Sequence, residues 1–277
     1  MSDTKVALIT GGSSGLGREL VRTLSDDGWQ VITDARNSEA LAHETRDLPG
    51  VTGIAGDILD LDHQDELAAA AHDLGRLDLL VHNASTLGPT PLRPLAEAQL
   101  ADIGTVLRTN AGAPLALTIK VLDLLRASSG VLVGISSDAA VEHYEGWGLY
   151  AAGKAALDQF ILTVGVETPE IVAYAVDPGD MRTPMHQAAF PGRTSRTGRN
   201  LPPSYLACGI CGSNVRSRAA TEPPICRRAR PAGSRHEHPT KFLPRCAPPN
   251  TSRGPRMSTP RSFSPAALLR ILRGDPA

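Results

Sequence analysis

Residues 5–17 read KVALITGGSSGLG, a short apolar run that passes directly into closely spaced glycines. Helical periodicity follows over Leu16–Leu24, so the glycines join a strand to a helix. Glycines let the backbone turn tightly and approach a bound diphosphate, and the first N–H groups of a helix attract negative charge. A glycine-rich turn without function is the alternative. The position between a first strand and a helix favours a nucleotide-binding loop instead.

The alternation of strands and helices continues through residues 1–191. The predicted strands are Lys5–Thr10, Gln30–Thr33, Val51–Ala55, Leu77–Val81, Val131–Ser136 and Ile171–Val176. The predicted helices are Leu16–Leu24, Ser38–Asp47, Gln64–Asp73, Ala98–Arg126 and Tyr150–Val164. Apolar strands separated by helices predict a parallel sheet that is covered on both faces. Right-handed crossovers then favour an α/β fold with a doubly wound parallel sheet of the Rossmann type.

Charge and cysteine usage divide the chain into two unlike parts. Residues 1–191 hold 12 of the 28 basic and 26 of the 29 acidic residues, a net charge of −14, whereas residues 192–277 carry +13. All four cysteines lie at or beyond Cys208. A first part built without thiols suits the cytoplasm. No signal peptide, membrane span or metal site is predicted there, and membrane or nucleic-acid partners are not expected.

Residues 192–277 are predicted to be a disordered basic tail that follows one Rossmann-type catalytic domain, residues 1–191. The tail holds 15 Arg and 13 Pro, and only Pro265–Arg273 has a helical pattern. We therefore expect it to add no strand to the sheet, which would leave Ile171–Val176 as an exposed edge. The composition resembles an out-of-frame translation of a GC-rich gene, so we hypothesise that the original frame is lost near Gly192. Translation of the other two frames checks this hypothesis.

Two other interpretations of the tail remain open. Its positive charge would also suit a nucleic-acid-binding arm, although no interleaved aromatic residues support one. The spacing Cys208-x-x-Cys211 is typical of a zinc site, whose remaining ligands would come from Cys226, Cys246, His236 and His238.

Three polar residues of the second half of the domain could perform chemistry together. Tyr150 and Lys154 are four residues apart on a predicted helix and so share a face. A buried ammonium beside a phenol favours the phenolate form and would lower the tyrosine pKa. Ser137 ends the fifth strand, where ligands bind in doubly wound sheets, and it could hydrogen-bond a carbonyl oxygen. Alone, the Tyr-x-x-x-Lys spacing is common on helix surfaces, and a serine can simply cap a turn.

Taken in order, these motifs resemble the short-chain dehydrogenase/reductase family from Lys5 to about Met185. The glycine loop matches the family's cofactor loop, Asp57 matches its adenine-contacting aspartate, and residues 82–85 match its Asn-Asn-Ala-Gly segment. The resemblance implies the catalytic residues Asn110, Ser137, Tyr150 and Lys154. It implies the cofactor-binding residues Thr10, Gly11, Ser13, Ser14, Gly15, Leu16, Gly17, Arg36, Asp57, Asn83, Ala84, Tyr150, Lys154, Pro178, Gly179 and Thr183.

The family mechanism implies a role for each catalytic residue. Tyr150 would act as the acid or base at the substrate oxygen, and Lys154 would lower its pKa and bind the ribose hydroxyls. Ser137 would hold the substrate oxygen, and Asn110 would fix a proton-relaying water. The sequence departs from the family pattern at His82, Ser85 and Gly153. We expect the first two to have small effects and the glycine to loosen one helical turn.

The end of the second strand decides which nicotinamide dinucleotide is favoured. An acidic residue there selects NAD through the ribose 2′-hydroxyl, and an arginine accommodates the 2′-phosphate of NADP. Ala35 stands at the acidic position and Arg36 at the arginine position. NADP is therefore favoured over NAD. Asp34 could select NAD if the strand ended earlier.

The sequence leaves three functional hypotheses. The first is an NADP- or NAD-dependent oxidoreductase that interconverts a small-molecule carbonyl and a secondary alcohol. The second is a cofactor-binding protein with little turnover, because nothing after Gly192 resembles the family's substrate-covering helices and last strand. The third is nucleic-acid binding through the tail. A homodimer through the long helices Ala98–Arg126 and Tyr150–Val164 is also expected from the resemblance.

Overall fold

Strands and helices alternate along the chain in the computed structural model, which describes residues 4–179, 181 and 183–189 and the backbone of Val215–Arg216. The strands are β1 (Val6–Ile9), β2 (Gln30–Ala35), β3 (Val51–Ala55), β4 (Leu79–His82), β5 (Val131–Ile135), β6 (Val172–Val176) and β7 (Val215–Arg216). The helices are α1 (Gly15–Asp26), α2 (Ser38–Thr45), α3 (Leu61–Leu74), α4 (Leu100–Leu107), α5 (Ala113–Ala127), α6 (Gly148–Glu167) and α7 (Pro184–Ala189).

These strands form one sheet in the order β3-β2-β1-β4-β5-β6-β7 within the described part of the chain. The first six strands are parallel, and the order reverses between β1 and β4. Ile9 is paired with Thr33 on one side and Val81 on the other, so the carboxyl ends of three central strands lie level. The predicted doubly wound, Rossmann-type fold is confirmed, and its topological switch point lies at these strand ends.

Alternate side chains of the parallel strands enter two separate apolar layers. Leu8 of β1 packs in the layer that contains Leu117 of α5 and Leu157 of α6. Ile9 points to the opposite layer, which contains Val21 of α1. Complete burial of one such aliphatic side chain contributes about 1.5–3 kcal/mol. Burial on both faces therefore explains why β1, at the centre of the sheet, is a continuous apolar run.

A π turn over Arg108–Gly112 divides the helix that the sequence predicted as Ala98–Arg126. Pro114 follows this turn and has no N–H to donate to the carbonyl of Asn110 four residues earlier, which disfavours a regular helix here. The prediction of one regular helix is wrong at this point. Single π turns inside α-helices often lie at functional sites, and this one contains Asn110.

Strand β7 pairs antiparallel with the carboxyl end of β6, with Val215 opposite Val176 and Arg216 opposite Ala175. The prediction that no residue after Gly192 joins the sheet is therefore wrong, and the carboxyl end of β6 is not a bare edge. Strand pairing uses backbone N–H and C=O groups. Two residues can thus pair with an edge strand without the apolar alternation that the sequence interpretation required.

The other predictions for residues 192–277 concern residues that the structure does not describe. They include the helix Pro265–Arg273 and the zinc site proposed for the cysteines and histidines. The domain boundary after residue 191 stays a prediction. Within the described residues, no helix is long and apolar enough to cross a membrane.

Candidate active site and cofactor cleft

The carboxyl ends of the parallel strands border a cleft of about 790 Å³. Most of the residues predicted to act in catalysis or cofactor binding line this cleft. They are Gly11, Ser13, Ser14, Gly15, Leu16, Arg36, Asp57, Asn83, Ala84, Ser137, Tyr150, Lys154, Pro178, Gly179 and Thr183. Thr10, Gly17 and Asn110 are buried behind the cleft wall.

The glycine loop connects β1 to the first turn of α1. Gly11 and Gly15 adopt positive φ angles of 75° and 56°, which side chains disfavour. A Cβ atom at Gly17 would overlap the carbonyl oxygen of Gly11, so only glycine lets α1 pack this closely. The loop thus presents backbone N–H groups and the positive end of a twelve-residue helix to the cleft, an arrangement that fits a diphosphate.

Thr10 and Asn83 fasten this loop to the segment that follows β4. The hydroxyl oxygen of Thr10 accepts hydrogen bonds from the backbone N–H groups of Asn83 (3.1 Å) and Ala84 (3.0 Å). The side-chain amide of Asn83 donates to the carbonyl oxygens of Thr10 (2.8 Å) and Gly11 (3.2 Å). Thr10 therefore positions the cleft wall without lining it.

Strand β2 ends at Ala35, two residues later than predicted, and places Asp34 and Arg36 in different environments. The buried Asp34 carboxylate accepts a hydrogen bond from the Gly11 N–H (2.7 Å) and contacts the His63 imidazole (3.2 Å). Arg36 is exposed at the cleft edge. Asp57, after β3, is also exposed and lines the cleft; it accepts from the Leu59 N–H (3.0 Å).

Tyr150 and Lys154 lie on successive turns at the start of α6, with 8% and 2% of their surfaces exposed. The Lys154 ammonium donates to the carbonyl oxygen of Ile135 (2.6 Å), at the end of β5. It also lies 5.6 Å from the centroid of the Tyr150 ring. Helix α6 therefore carries both side chains to the end of β5, where Ser137 follows.

Burial shifts the pKa values of this pair in opposite directions. It raises the pKa of Tyr150 to about 12, although hydrogen bonds to Ser137 and Ser85 oppose the rise. It lowers the pKa of Lys154 to about 8. The net shift of the tyrosine pKa is therefore upward, and a lowering contribution from Lys154 stays a prediction. Loss of solvent around the phenol is the largest cause of this rise.

Asn110 is buried in the π turn and holds the loop after β4. Its side-chain oxygen accepts from the Ser85 hydroxyl (3.1 Å) and the Thr86 N–H (2.8 Å), and its amide donates to the Thr86 carbonyl (2.8 Å). Gly153 of α6 faces it, because a Cβ there would lie 3.0 Å from the Asn110 Cβ. The glycine thus allows close packing of α6 against the π turn, a role that the sequence interpretation missed.

The loop between β5 and α6 adds residues that the sequence interpretation did not assign. Asp138 accepts a hydrogen bond from Ser137 (3.0 Å) with one carboxylate oxygen and from the Tyr144 hydroxyl (2.8 Å) with the other. Trp147 packs edge to face on Tyr150, with 5.7 Å between the ring centroids. All three line the cleft. Their only sequence signal was their place between the fifth strand and the tyrosine helix.

The segment after β6 closes the opposite side of the cleft. Asp177 accepts from the Gly179 N–H (2.8 Å) and so shapes the Pro-Gly turn. Thr183 accepts from the His186 N–H (3.2 Å) at the start of α7. Its methyl carbon would lie 3.3 Å from a Cβ at Gly15, which places Thr183 across from the glycine loop.

Comparison with known proteins agrees with this architecture. A model described as short chain dehydrogenase matches residues 5–194. The chain belongs to the short-chain dehydrogenase family, as its motifs predicted, and is an oxidoreductase of that family.

The chain matches individual relatives over most of their own length. Sepiapterin reductase from Rattus norvegicus is 32% identical over 201 residues, which cover 66% of this chain and 77% of the relative. A short-chain dehydrogenase structure from Pseudomonas syringae has a TM-score of 0.65 at 29% identity and covers 73% of this chain and 85% of that chain. The structure of an actinorhodin polyketide ketoreductase with NADPH has a TM-score of 0.62 at 29% identity, with coverages of 66% and 73%. The prediction of a nicotinamide dinucleotide as cofactor, NADP or NAD, is confirmed.

Proposed function

We propose that this protein interconverts a small-molecule carbonyl compound and a secondary alcohol, with NADP favoured over NAD. The observation that carries the proposal is the placement of Tyr150, Lys154 and Ser137 in the same cleft as the glycine loop. The nicotinamide supplies or accepts the hydride when it is bound. The protein's own side chains handle the proton and orient the substrate oxygen.

Tyr150 is the proton donor in the direction of carbonyl reduction. A pKa raised to about 12 keeps its hydroxyl protonated at neutral pH, so the group is ready to donate to the oxygen that gains charge. Donation leaves a phenolate, and the Lys154 ammonium close to the ring stabilises that negative charge.

Ser137 orients the substrate oxygen, and Asn110 supports the site from behind. The Ser137 hydroxyl donates to Asp138 in this structure and can turn to a substrate carbonyl. The Asn110 side chain accepts hydrogen bonds from Ser85 and Thr86 and donates one to the Thr86 carbonyl, so it ties the π turn to the loop after β4. Asn110 is thus a positioning residue for the loop after β4.

Arg36 supports the preference for NADP. It is exposed beside the cleft at the end of β2, where a guanidinium can pair with a 2′-phosphate. Asp34, the alternative determinant that would select NAD, is already bonded to Gly11 and His63. NAD remains the weaker cofactor in this proposal.

The relatives support the direction of the reaction. Sepiapterin reductase and polyketide ketoreductase are named as reductases, and the latter structure contains NADPH. We extend carbonyl reduction from them to this chain. We also propose a cytoplasmic homodimer that contacts its partner through α4, α5 and α6.

A substrate screen with cofactor binding measured in parallel tests this function. Purified protein would be assayed with ketones and aldehydes against NADPH and NADH, and with secondary alcohols against the oxidised cofactors. Calorimetry would give the cofactor Kd values. Turnover with NADPH is expected to exceed turnover with NADH. Cofactor binding without turnover on any substrate would contradict the proposal and favour a cofactor-binding protein.

A further inference from the structure

A buried aspartate–histidine pair lies directly behind the part of the cleft that would receive the adenosine ribose. Asp34 of β2 and His63 of α3 have side chains that are only 3% and 4% exposed, and 3.2 Å separates the carboxylate oxygen from the imidazole Nε2. The second oxygen of Asp34 accepts from the Gly11 N–H at 2.7 Å. The pair thus links the glycine loop, β2 and α3.

The loop after β3 holds the imidazole in place. A Cβ atom at Gly56 would overlap the His63 ring, so the backbone of Gly56 packs directly on the imidazole. Asp34, Arg36, Gly56 and Asp57 all line the cleft. His63 therefore supports two segments that border the same pocket.

The Asp34 carboxylate creates an electrostatic problem for a 2′-phosphate. It stands two residues before Arg36, on the wall where the phosphate would bind, and like charges repel. Without its contact to His63, the Asp34 carboxylate could also accept a hydrogen bond from a ribose 2′-hydroxyl, which would favour NAD.

We propose that His63 is a specificity-determining residue, because it engages the Asp34 carboxylate and so lets Arg36 bind the 2′-phosphate of NADP. This inference rests on the proposed preference for NADP. The hydrogen bond to Asp34 raises the pKa of His63, and burial opposes the rise. Glu66, on α3, and Asp60, which caps α3, also favour the protonated imidazole. When it is protonated, the imidazolium offsets the aspartate charge.

The sign of the pH dependence follows from this arrangement. Below the pKa of His63 the imidazolium cancels the Asp34 charge, and preference for a 2′-phosphate is greatest. Above that pKa the imidazole is neutral and the carboxylate charge repels the phosphate. The phosphate itself loses a proton near pH 6, which makes it a better ligand for Arg36 as pH rises. The pH dependence that His63 causes must therefore be measured as the difference in phosphate preference between the wild type and a His63 variant at the same pH.

The test uses the adenosine half of the cofactor alone, so that catalysis does not enter. Calorimetry would compare adenosine 2′,5′-bisphosphate with adenosine 5′-monophosphate on the full chain. The ratio of the two Kd values measures preference for the 2′-phosphate. His63→Leu is expected to lower this preference at least about tenfold, and His63→Gln, which retains a neutral donor, is expected to lower it less. His72→Leu, on the same helix and partly exposed, should leave it unchanged.

A double variant separates charge from folding. Asp34→Asn combined with His63→Leu removes both the carboxylate and the imidazole, so it is expected to recover most of the lost preference and to show less pH dependence. Unchanged preference in folded His63→Leu would overturn the role of His63, and so would a double variant no better than His63→Leu. A wild-type protein that binds both nucleotides equally would instead overturn the proposed choice of NADP.

Discussion

Arg36 and Asp34 stand two residues apart at the end of β2, yet one is exposed and the other is buried. Arg36→Asp is expected to shift preference from NADP to NAD by about 10- to 100-fold, the range for loss of one hydrogen bond between charged groups. The ratio of the Kd values for NADP and NAD, in the wild type and in the variant, measures this shift in preference. Arg46→Asp, an exposed arginine after α2, is the matched control. An unchanged ratio of the two Kd values would remove Arg36 from cofactor selection.

Lys154 places a buried charge in the active site at a cost to stability. Its pKa is about 8 when folded and about 10.5 when unfolded, so the unfolded chain binds more protons between these values. The penalty is complete below pH 8 and fades as pH rises towards 10.5. Lys154→Met is thus expected to raise the free energy of unfolding at pH 7 by on the order of 3 kcal/mol while activity is lost.

Chemical denaturation at pH 7 and pH 10 checks this prediction. The stability gain of Lys154→Met should shrink at pH 10, where the wild-type lysine is largely neutral. Lys120→Met is a control, since Lys120 forms a surface ion pair with Asp65 and should change stability by less than about 1 kcal/mol. A gain that is equal at both pH values would show that packing, not charge burial, explains it.

The positions of the proposed catalytic side chains could be predicted from the sequence, but the direction of the tyrosine pKa shift could not. The spacing of Tyr150 and Lys154 fixes their shared helix face, and Ser137 follows β5 as expected. The sign of the tyrosine pKa shift depends instead on how completely Trp147 and the surrounding core exclude water. No local motif encodes that degree of burial. Nor does one mark His63, which reaches Asp34 from a separate helix.

A hydrogen bond from His82 links strand β4 to helix α5. The Thr118 hydroxyl donates to the Pro114 carbonyl (2.8 Å), so its oxygen accepts from the His82 Nε2–H at 2.7 Å. Burial, and secondarily the Lys154 charge, lowers the pKa of His82 to about 3. The unfolded histidine binds a proton near pH 6.5, so stability falls as pH drops below that value.

His82→Asn, the residue that the family resemblance places here, is therefore expected to resist acid better than the wild type. Its unfolding midpoint on acid titration, followed by circular dichroism, should move to lower pH. His43→Asn is the matched control, because the His43 side chain is 76% exposed. An acid midpoint that does not move would show that other groups control acid unfolding.

The predicted ends of strands and helices were wrong where the structure around a residue, rather than the local sequence pattern, decides where the element ends. The strand pattern ended β2 at Thr33, but the Asp34 carboxylate is buried against Gly11 and His63 and the strand continues to Ala35. The helix pattern ran through Pro114, although the missing N–H disfavours a regular helix at the π turn. All six parallel strands were predicted, and the pattern was clearest in β1 and β4, where every residue is buried.

For the whole molecule, exposed apolar side chains on α4 and α5 support the proposed dimer. Leu100 is 87% exposed and Ile119 is 66% exposed. Ile119→Glu is expected to convert the dimer to monomer in light scattering, with little change in the stability of the monomer fold. Leu61→Glu, on α3 and 59% exposed, should leave the dimer intact. A dimer that survives Ile119→Glu would place the interface elsewhere.

The central claim is that one buried hydroxyl group transfers the proton while the rest of the cleft binds the cofactor. The most direct measurement compares wild type and Tyr150→Phe for both single-turnover carbonyl reduction and NADPH Kd. Tyr150→Phe is expected to lose hydride transfer by at least about 100-fold, with the Kd within a few-fold of wild type, because the phenol supplies the proton and little of the binding. Retention of more than about a tenth of the wild-type rate would contradict the catalytic role of Tyr150.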